Sequence, residues 1–220
     1  MSYGLEVAFS SGHADRGFLI SDRTVVQPVT WMGWNGTELS LWSSVPLTPN
    51  SDGSRPHIAE FELTHTQRWG KLTVAPALRM YYDHDALSRE RDRSLEGWLE
   101  LSYDLGPFSL LVNPSIDVLT YRGAYFVDAG VESEGHVSPR LELGGSLRAG
   151  WGSWRFNNEY AEVPKSTLDR VRAATWLTAY VTPHLYIGPK VEYNLTLDRD
   201  VRAVTGANYV LLRVALGGEF

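Results

Sequence analysis

The carboxy-terminal segment Asn208–Phe220 alternates strictly, and it limits the possible folds more than any other stretch. One row is apolar except for a glycine, and it consists of Val210, Leu212, Val214, Leu216, Gly218 and Phe220. The other row carries Tyr209, Arg213 and Glu219. Because successive side chains of a strand lie on opposite faces, this pattern predicts a strand with one apolar face and one mixed face. Such a strand fits a soluble β domain or the wall of a membrane barrel.

The same alternation recurs along the whole chain. We predict about twelve strands from this period of two, at residues 3–10, 24–34, 37–47, 57–66, 71–82, 94–103, 108–118, 124–132, 140–150, 168–181, 185–197 and 208–220. Most of them reach the roughly 9–11 residues that a tilted strand needs to cross a bilayer. Strands of soluble sandwiches are shorter, at about 5–6 residues.

Short and long connections alternate between these strands. The dipeptide Asn35-Gly36 favours a two-residue type I′ turn, whereas residues 49–57 form a longer polar loop. The other predicted connections are turns at 67–70, 104–107, 133–139 and 182–184, and loops or irregular segments at 83–93, 121–123, 151–167 and 198–207. Residues 11–21 are predicted to continue the first strand outward. This rhythm is typical of an up-and-down barrel with an even number of strands.

The predicted fold is therefore all-β, a single domain over residues 1–220 that forms a closed antiparallel up-and-down transmembrane β-barrel. A soluble lipocalin-like barrel or sandwich is the alternative. Hydrophobic residues make up 43% of the chain, but no run approaches the roughly 18 apolar residues of a spanning helix. The 8 tryptophans and 11 tyrosines suit a bilayer interface.

Charge and cysteine content exclude other classes. A net charge of -6 argues against a nucleic-acid partner, which would need a basic surface. The absence of cysteine rules out a disulfide scaffold and cysteine-ligated metal. The start Met1-Ser2-Tyr3 shows no signal peptide, so for an exported protein we expect a mature amino terminus with an added initiator methionine.

These features together resemble bacterial outer-membrane β-barrel proteins. Phe220, preceded by apolar residues at every second position, is similar to the signal that the barrel-assembly machinery reads. The resemblance implies a location in the outer membrane, periplasmic termini, and contact with outer-membrane lipid and lipopolysaccharide. Residues 16–21, Arg-Gly-Phe-Leu-Ile-Ser, resemble the Arg-Gly motif of small TorF-like porins, with His13 where an aromatic residue is usual.

Charged residues on the inner row of these strands form the candidate site. They are Glu6, Glu60, Glu62, Arg79, Glu96, Glu100, Asp117, Asp128, Glu142, Arg148, Lys190, Glu192 and Arg213. Since an unpaired charge in lipid is very costly, we expect them to face an aqueous lumen or a hydrogen-bonded plug. The functional hypothesis is a narrow, acid-lined, porin-like channel for passive diffusion of small solutes or cations. The alternatives are an anchoring barrel with a plugged lumen and a lipid-modifying enzyme.

Catalytic and metal sites are not predicted. His65 lies beside Thr64 and Thr66, and His13 follows two serines, but adjacency alone does not make a triad. The tripeptide at 83–85, Asp-His-Asp, lacks the spaced ligand set of a metal site. We therefore predict no catalytic residue, no metal and no cofactor.

Two further groups are assigned to the surface. Trp34, Trp69, Trp151 and Trp176 lie near predicted strand ends, and we expect them in the aromatic girdles. The charged cluster at 89–93 is predicted to be a solvated outer loop that could contact lipopolysaccharide.

Overall fold

The structure is a computed structural model that describes residues 1–51, 53–83, 93–206 and 208–220. Its strands are β1 (Ser2–Ser10), β2 (His13–Asp15), β3 (Phe18–Ser21), β4 (Val25–Trp34), β5 (Thr37–Pro46), β6 (Ile58–His65), β7 (Gln67–Trp69), β8 (Leu72–Asp83), β9 (Arg93–Asp104), β10 (Ser109–Asp117), β11 (Tyr125–Ser138), β12 (Leu141–Gly152), β13 (Thr167–Tyr180), β14 (Leu185–Thr196) and β15 (Asn208–Glu219). Its helices are α1 (Trp154–Ala161) and α2 (Arg199–Thr205). No helix in these ranges is long and apolar enough to cross a membrane.

Twelve strands close into an antiparallel barrel, with β7 continuing β6 along β8. Apart from the closing pair, neighbours in the barrel are also neighbours in the chain. The closing pair joins β1 to β15, where Val7 lies opposite Leu216 and Phe9 opposite Val214. The sheet thus has no open edge, which lipid would not tolerate. The predicted closed up-and-down barrel is confirmed.

The barrel is apolar outside and polar inside. Leu5, Phe9, Leu212, Val214 and Leu216 of the closing pair all point outward and are exposed. The residues between them, including Glu6 and Arg213, point inward and are partly buried. An exposed apolar surface of this extent is the expected outer wall of a membrane barrel.

The two ends of the barrel differ. Both termini and the short turns lie at one end, called here the turn end, and the longer connections lie at the other, the loop end. Trp34 and Trp69 are exposed at the turn end, and Trp151 is partly exposed at the loop end. Trp176 does not belong to a girdle, because its indole nitrogen donates to Glu134 (2.6 Å) and its ring lies over Gly144 inside the barrel.

Several predicted connections are wrong in detail. The segment 151–167 contains the end of β12 and helix α1, and the segment 198–207 contains helix α2. Strand β11 continues to Ser138, so the turn predicted at 133–139 begins only after that residue. Ser11–Ser21 does not extend β1 outward, because β2 and β3 pair with each other as a separate hairpin.

A small hydrophobic core closes the loop end. Phe18 of the hairpin, Phe126 of β11, Phe156 of α1 and Val201 of α2 are all buried in it. The Phe126 and Phe156 rings lie 4.9 Å apart, centroid to centroid. The apolar core thus lies across one end of the barrel, and the middle of the barrel is left to polar groups.

Candidate channel lumen

The barrel interior between the hairpin and the turn end contains two chambers with polar walls. One chamber, of about 310 Å³, has residues 14–17 of the hairpin on its wall together with side chains from β6 and β8 through β14. A second, of about 360 Å³, extends toward the turn end beside Glu6, Trp176 and Tyr186. Arg148 and Arg172 line both chambers, so the two chambers are adjacent. Together they are called here the cavity, which extends from beneath the hairpin toward the turn end.

Carboxylates of β6 are paired with β8. Arg79 contacts Glu60 at 3.3 Å and Glu62 at 2.6 Å, and Glu62 lies directly opposite Arg79 in the strand register. The Arg79 guanidinium also lies 4.3 Å from the centroid of the Trp98 ring. Glu100 lines the same chamber. These predicted residues thus form one side of the cavity.

Basic side chains cluster on the opposite wall, formed by β12 to β15. Arg148 lies directly opposite Arg172, and Lys190 lies directly opposite Arg213. Like charges in directly opposite positions are destabilising in a sheet unless counter-charges are near. The wall therefore depends on carboxylates, which are found beside each of the four cations.

The counter-charges of this wall come from β1, β11 and β14. Asp128 lies 2.7 Å from Arg172 and 3.5 Å from Arg148. Three further pairs are Arg148 with Glu132 (2.7 Å), Lys190 with Glu192 (3.1 Å) and Arg213 with Glu6. Predicted inner-row residues are thus brought together as ion pairs, together with two residues that were not predicted, Glu132 and Arg172.

Asp117 and Glu142 lie at the two ends and have local roles. Asp117 is buried near the loop end, where it accepts from the Ser94 hydroxyl and from the backbone N–H groups of Leu119 and Tyr121. Glu142 lies toward the turn end and accepts from the Tyr180 hydroxyl (3.1 Å). Its other oxygen is 3.0 Å from His136 Nε2.

The hairpin places Arg16 on the wall of the cavity. Its guanidinium pairs with Glu96 and lies 5.2 Å from the centroid of Trp98. Burial alone would lower the pKa of Arg16, but charge interactions with Asp15, Tyr160 and Glu96 raise this pKa well above its ordinary value. Arg16 is therefore a permanent cation inside the barrel. The Arg-Gly pair was visible in the sequence, but its inward position depends on tertiary contacts.

The His65 imidazole contacts a hydroxyl and a side-chain amide. His65 Nδ1 lies 2.9 Å from the Thr37 hydroxyl on the outer wall at the turn end, and His65 Nε2 lies 3.1 Å from Gln67 Nε2. If the Gln67 amide donates to Nε2, the ring proton is on Nδ1 and faces Thr37. The imidazole then cannot accept the hydroxyl proton, as a general base must.

The remaining predictions concern metal sites and one outer loop. Residues 84–92 lie outside the described ranges, and with them most of the 83–85 tripeptide and of the 89–93 cluster. Among the residues that are described, no group of three or more His, Asp or Glu side chains is arranged to hold a metal ion.

The closed barrel, its apolar outer wall and its polar interior define an outer-membrane type of β-barrel. No protein family model matches the chain, and no curated protein matches its sequence. Solved structures match by fold. The NanC porin superposes with a TM-score of 0.64 at 15% identity, covering 98% of each chain.

Two other barrels match over nearly the whole chain. The KdgM porin has a TM-score of 0.58 at 10% identity, covering 100% of this chain and 99% of that chain. The translocator domain of the autotransporter NalP from Neisseria meningitidis has a TM-score of 0.55 at 10% identity, covering 100% and 88%. The chain therefore has the fold of small bacterial outer-membrane β-barrels. Channels and a translocator share this architecture, so the fold alone does not choose between functions.

Proposed function

We propose that the barrel is a narrow channel for passive diffusion of small polar solutes, with a modest preference for cations. The observation that carries this proposal is the pair of adjacent chambers beneath the hairpin, which have charged walls. Eight of the twelve barrel strands contribute to the first chamber, so its lining extends around about two thirds of the barrel wall. A structural barrel has no need of such a space, and filling it with apolar side chains would cost less than burying charges.

The charge preference is proposed to arise at the turn end. Along the chambers, carboxylates and cations occur in nearly equal numbers, and most of them are paired. The turn-end mouth adds Glu38 and Glu142 on inward positions, and Glu134, which binds the lumen residue Trp176. Rings of carboxylates at a constriction favour cations. The acid-rich mouth therefore sets the selectivity, and the paired chambers contribute little to it.

Single-channel current in planar bilayers tests this proposal. We expect a small conductance and, in a potassium chloride gradient, a reversal potential that shows preference for potassium. The double variant Glu134→Gln/Glu142→Gln should reduce that preference, because it removes two negative charges from the mouth. The control Glu162→Gln removes a charge from the loop end and should leave the preference unchanged. Folded protein with no conductance above the bare membrane would contradict the channel.

A plugged anchoring barrel is the second candidate, and the core across the loop end favours it. It shares the fold but predicts no current in wild-type protein, even if a variant that lacks residues 12–22 conducts because part of the plug is gone. A channel predicts a larger current when this hairpin is removed. The assignment as a non-enzyme is part of the same proposal. The second contact of the His65 ring is with the Gln67 amide and not with the carboxylate that orients the histidine of a catalytic triad.

The external partners remain proposals. Phe220 is exposed at the turn end, where its ring lies 5.8 Å from Tyr3 and 5.7 Å from His184. An accessible carboxy-terminal aromatic residue is compatible with recognition by the barrel-assembly machinery. The Phe220→Ala variant should accumulate less in the membrane, measured by fractionation, yet refold normally from urea in vitro. Contact with lipopolysaccharide is expected from the proposed location alone.

A further inference from the structure

Arg16 occupies a site built for an organic cation. Four residues of the barrel wall and of α1 surround its guanidinium and are called here the cation cage: Glu96, Trp98, Phe156 and Tyr160. The Arg16 carbon Cζ lies 5.2 Å from the Trp98 ring, 5.5 Å from Phe156 and 5.6 Å from Tyr160, centroid in each case. Glu96 supplies the counter-charge. Aromatic faces together with a carboxylate are the usual means of binding guanidinium or quaternary ammonium groups.

The cage is fixed by contacts that do not involve Arg16. Trp98 Nε1 donates to Glu96 Oε2 (2.8 Å), which holds the carboxylate beside the indole. Phe156 stacks on Tyr160 at 4.4 Å within α1 and packs against Phe126 of β11 at 4.9 Å. The β9 half and the α1 half of the cage thus each have contacts of their own, which remain when the Arg16 side chain is removed.

The segment that delivers Arg16 is attached less firmly. Within the described residues, β2 and β3 form ladder hydrogen bonds only with each other and none with a barrel strand. The turn between them places Arg16 at φ 46° and Gly17 at φ 81°. The left-handed conformation is unfavourable for arginine, because it brings Cβ too close to a backbone carbonyl oxygen. The hairpin thus depends on side-chain contacts, and the cage supplies several of them.

We propose that the cation cage is a binding site for small organic cations carrying a guanidinium or quaternary ammonium group, and that Arg16 is its resident internal ligand. A solute cation would enter from the turn end, because Trp98 and Arg16 both line the 310 Å³ chamber. It would take the place of the Arg16 guanidinium as the hairpin tip withdraws. The entry route rests on the proposed channel, and the inference names the solute class of that channel.

Isothermal titration calorimetry with tetramethylammonium chloride tests the site, using refolded protein in detergent at constant ionic strength. We expect Arg16→Ala protein to bind the probe at least about tenfold more tightly than wild type, since the cage is vacated. Arg16→Met keeps the aliphatic part of the side chain without its charge. It should also bind the probe more tightly than wild type, and it replaces the alanine variant if that variant folds poorly. Far-UV circular dichroism confirms folding in each case.

Two further variants separate the cage from general charge effects. Arg16→Ala/Glu96→Gln and Arg16→Ala/Trp98→Leu should each lose about tenfold of the gained affinity, because one removes the carboxylate and the other an aromatic face. Arg16→Ala/Glu162→Gln is the matched control and should bind like Arg16→Ala. Folded Arg16 variants that do not bind the probe, or binding that is equal in all variants, would overturn the site. Binding without any current in bilayers would instead overturn only the channel.

Discussion

His13 lies at the start of the hairpin, buried between the barrel wall and the cavity. Its Nδ1 atom is 3.2 Å from Gln27 Nε2, and its ring lies 5.2 Å from Trp42. Burial lowers the pKa of His13, although the negative charges of Asp15 and Glu192 oppose this effect. A third chamber, beside His13, is lined by the cations Lys190, Arg172 and Arg213 and by Glu192. The hairpin is called docked when it lies inside the barrel, as it does here. Docking therefore favours the neutral form of the His13 imidazole.

This depressed pKa makes docking of the hairpin depend on pH. The pKa of His13 is lower in the docked hairpin than in a hairpin exposed to water, where it is about 6.5. The docked state is therefore most stable above about pH 6.5 and becomes progressively less stable as the pH falls below that value. We expect modification of an introduced Ala14→Cys by a charged thiol reagent to rise, relative to the same site in a His13→Asn background, as pH falls from 8 to 5. The asparagine variant supplies the control for reagent chemistry. Identical pH profiles in the two backgrounds would contradict the linkage.

Inner-row charges could be predicted where a strand alternated clearly, and could not where both faces were mixed. Glu6 and Glu192 lie on strands whose other row is uniformly apolar, so their direction followed from the period of two. Arg172 and Trp176 lie on β13, where alanine and threonine occur on both rows. Without a contrast in polarity the two faces cannot be told apart, so Arg172 was missed and Trp176 was misplaced.

Helices α1 and α2 carry cap residues that stabilise them locally. The Ser153 side chain accepts from the Phe156 N–H, and the Asp198 side chain accepts from the N–H groups of Asp200 and Val201. Isolated helices this short are unstable in water, so their packing at the loop end is what maintains them. The long strands could be predicted because their pattern is repeated many times, whereas these helices offered one cap signal each and depended on a distant core.

The cap of α2 can be tested with two substitutions at Asp198. Alanine removes the cap and should cost about 0.5–2 kcal/mol, whereas asparagine retains it. We expect trypsin to cleave after Arg199 and Arg202 faster by a factor of about five or more in Asp198→Ala, and at nearly the wild-type rate in Asp198→Asn. Cleavage after Arg23, in another connection, serves as the internal control.

The same two substitutions also test the ion pair between the loops. Lys165 lies 2.7 Å from Asp198, and its hydrogen bond lowers the pKa of Asp198 to about 2. Stability from this depressed pKa is complete above about pH 3.8 and is lost as pH falls through about 2, so it is unchanged across the physiological range. The contact is exposed to solvent, where ion pairs contribute little. Equal sensitivity of the alanine and asparagine variants would show that the ion pair, and not the cap, holds α2.

At the scale of the whole molecule, the distribution of polarity is the reverse of that in a soluble domain. Among the described residues, the outer wall is apolar, the middle carries charged side chains around open space, and a buried apolar cluster lies across the loop end. Closure of the barrel was predictable, because an even set of long amphipathic strands has no other way to satisfy its edges in lipid. The closure of the loop end by the hairpin and the helices could not be predicted. It depends on whether the connection between β1 and β4 turns into the barrel or away from it.

This arrangement predicts that the destabilisation caused by a charged residue on the outer face of β15 depends on how deep in the bilayer that residue lies. Val214 faces outward near the middle of β15, opposite Phe9, whereas Val210 faces outward near the loop end. Lysine on the lipid face costs about 2–4 kcal/mol at the bilayer midplane and about 0–1 near the interface. We therefore expect Val214→Lys to lower the free energy of unfolding by several times as much as Val210→Lys, measured by urea titration in lipid vesicles. In a soluble barrel both side chains would be in water, so the two substitutions would lower the free energy of unfolding by equally small amounts. That result would contradict a membrane-spanning wall. A much larger loss for Val214→Lys than for Val210→Lys requires a hydrocarbon layer around the middle of the barrel.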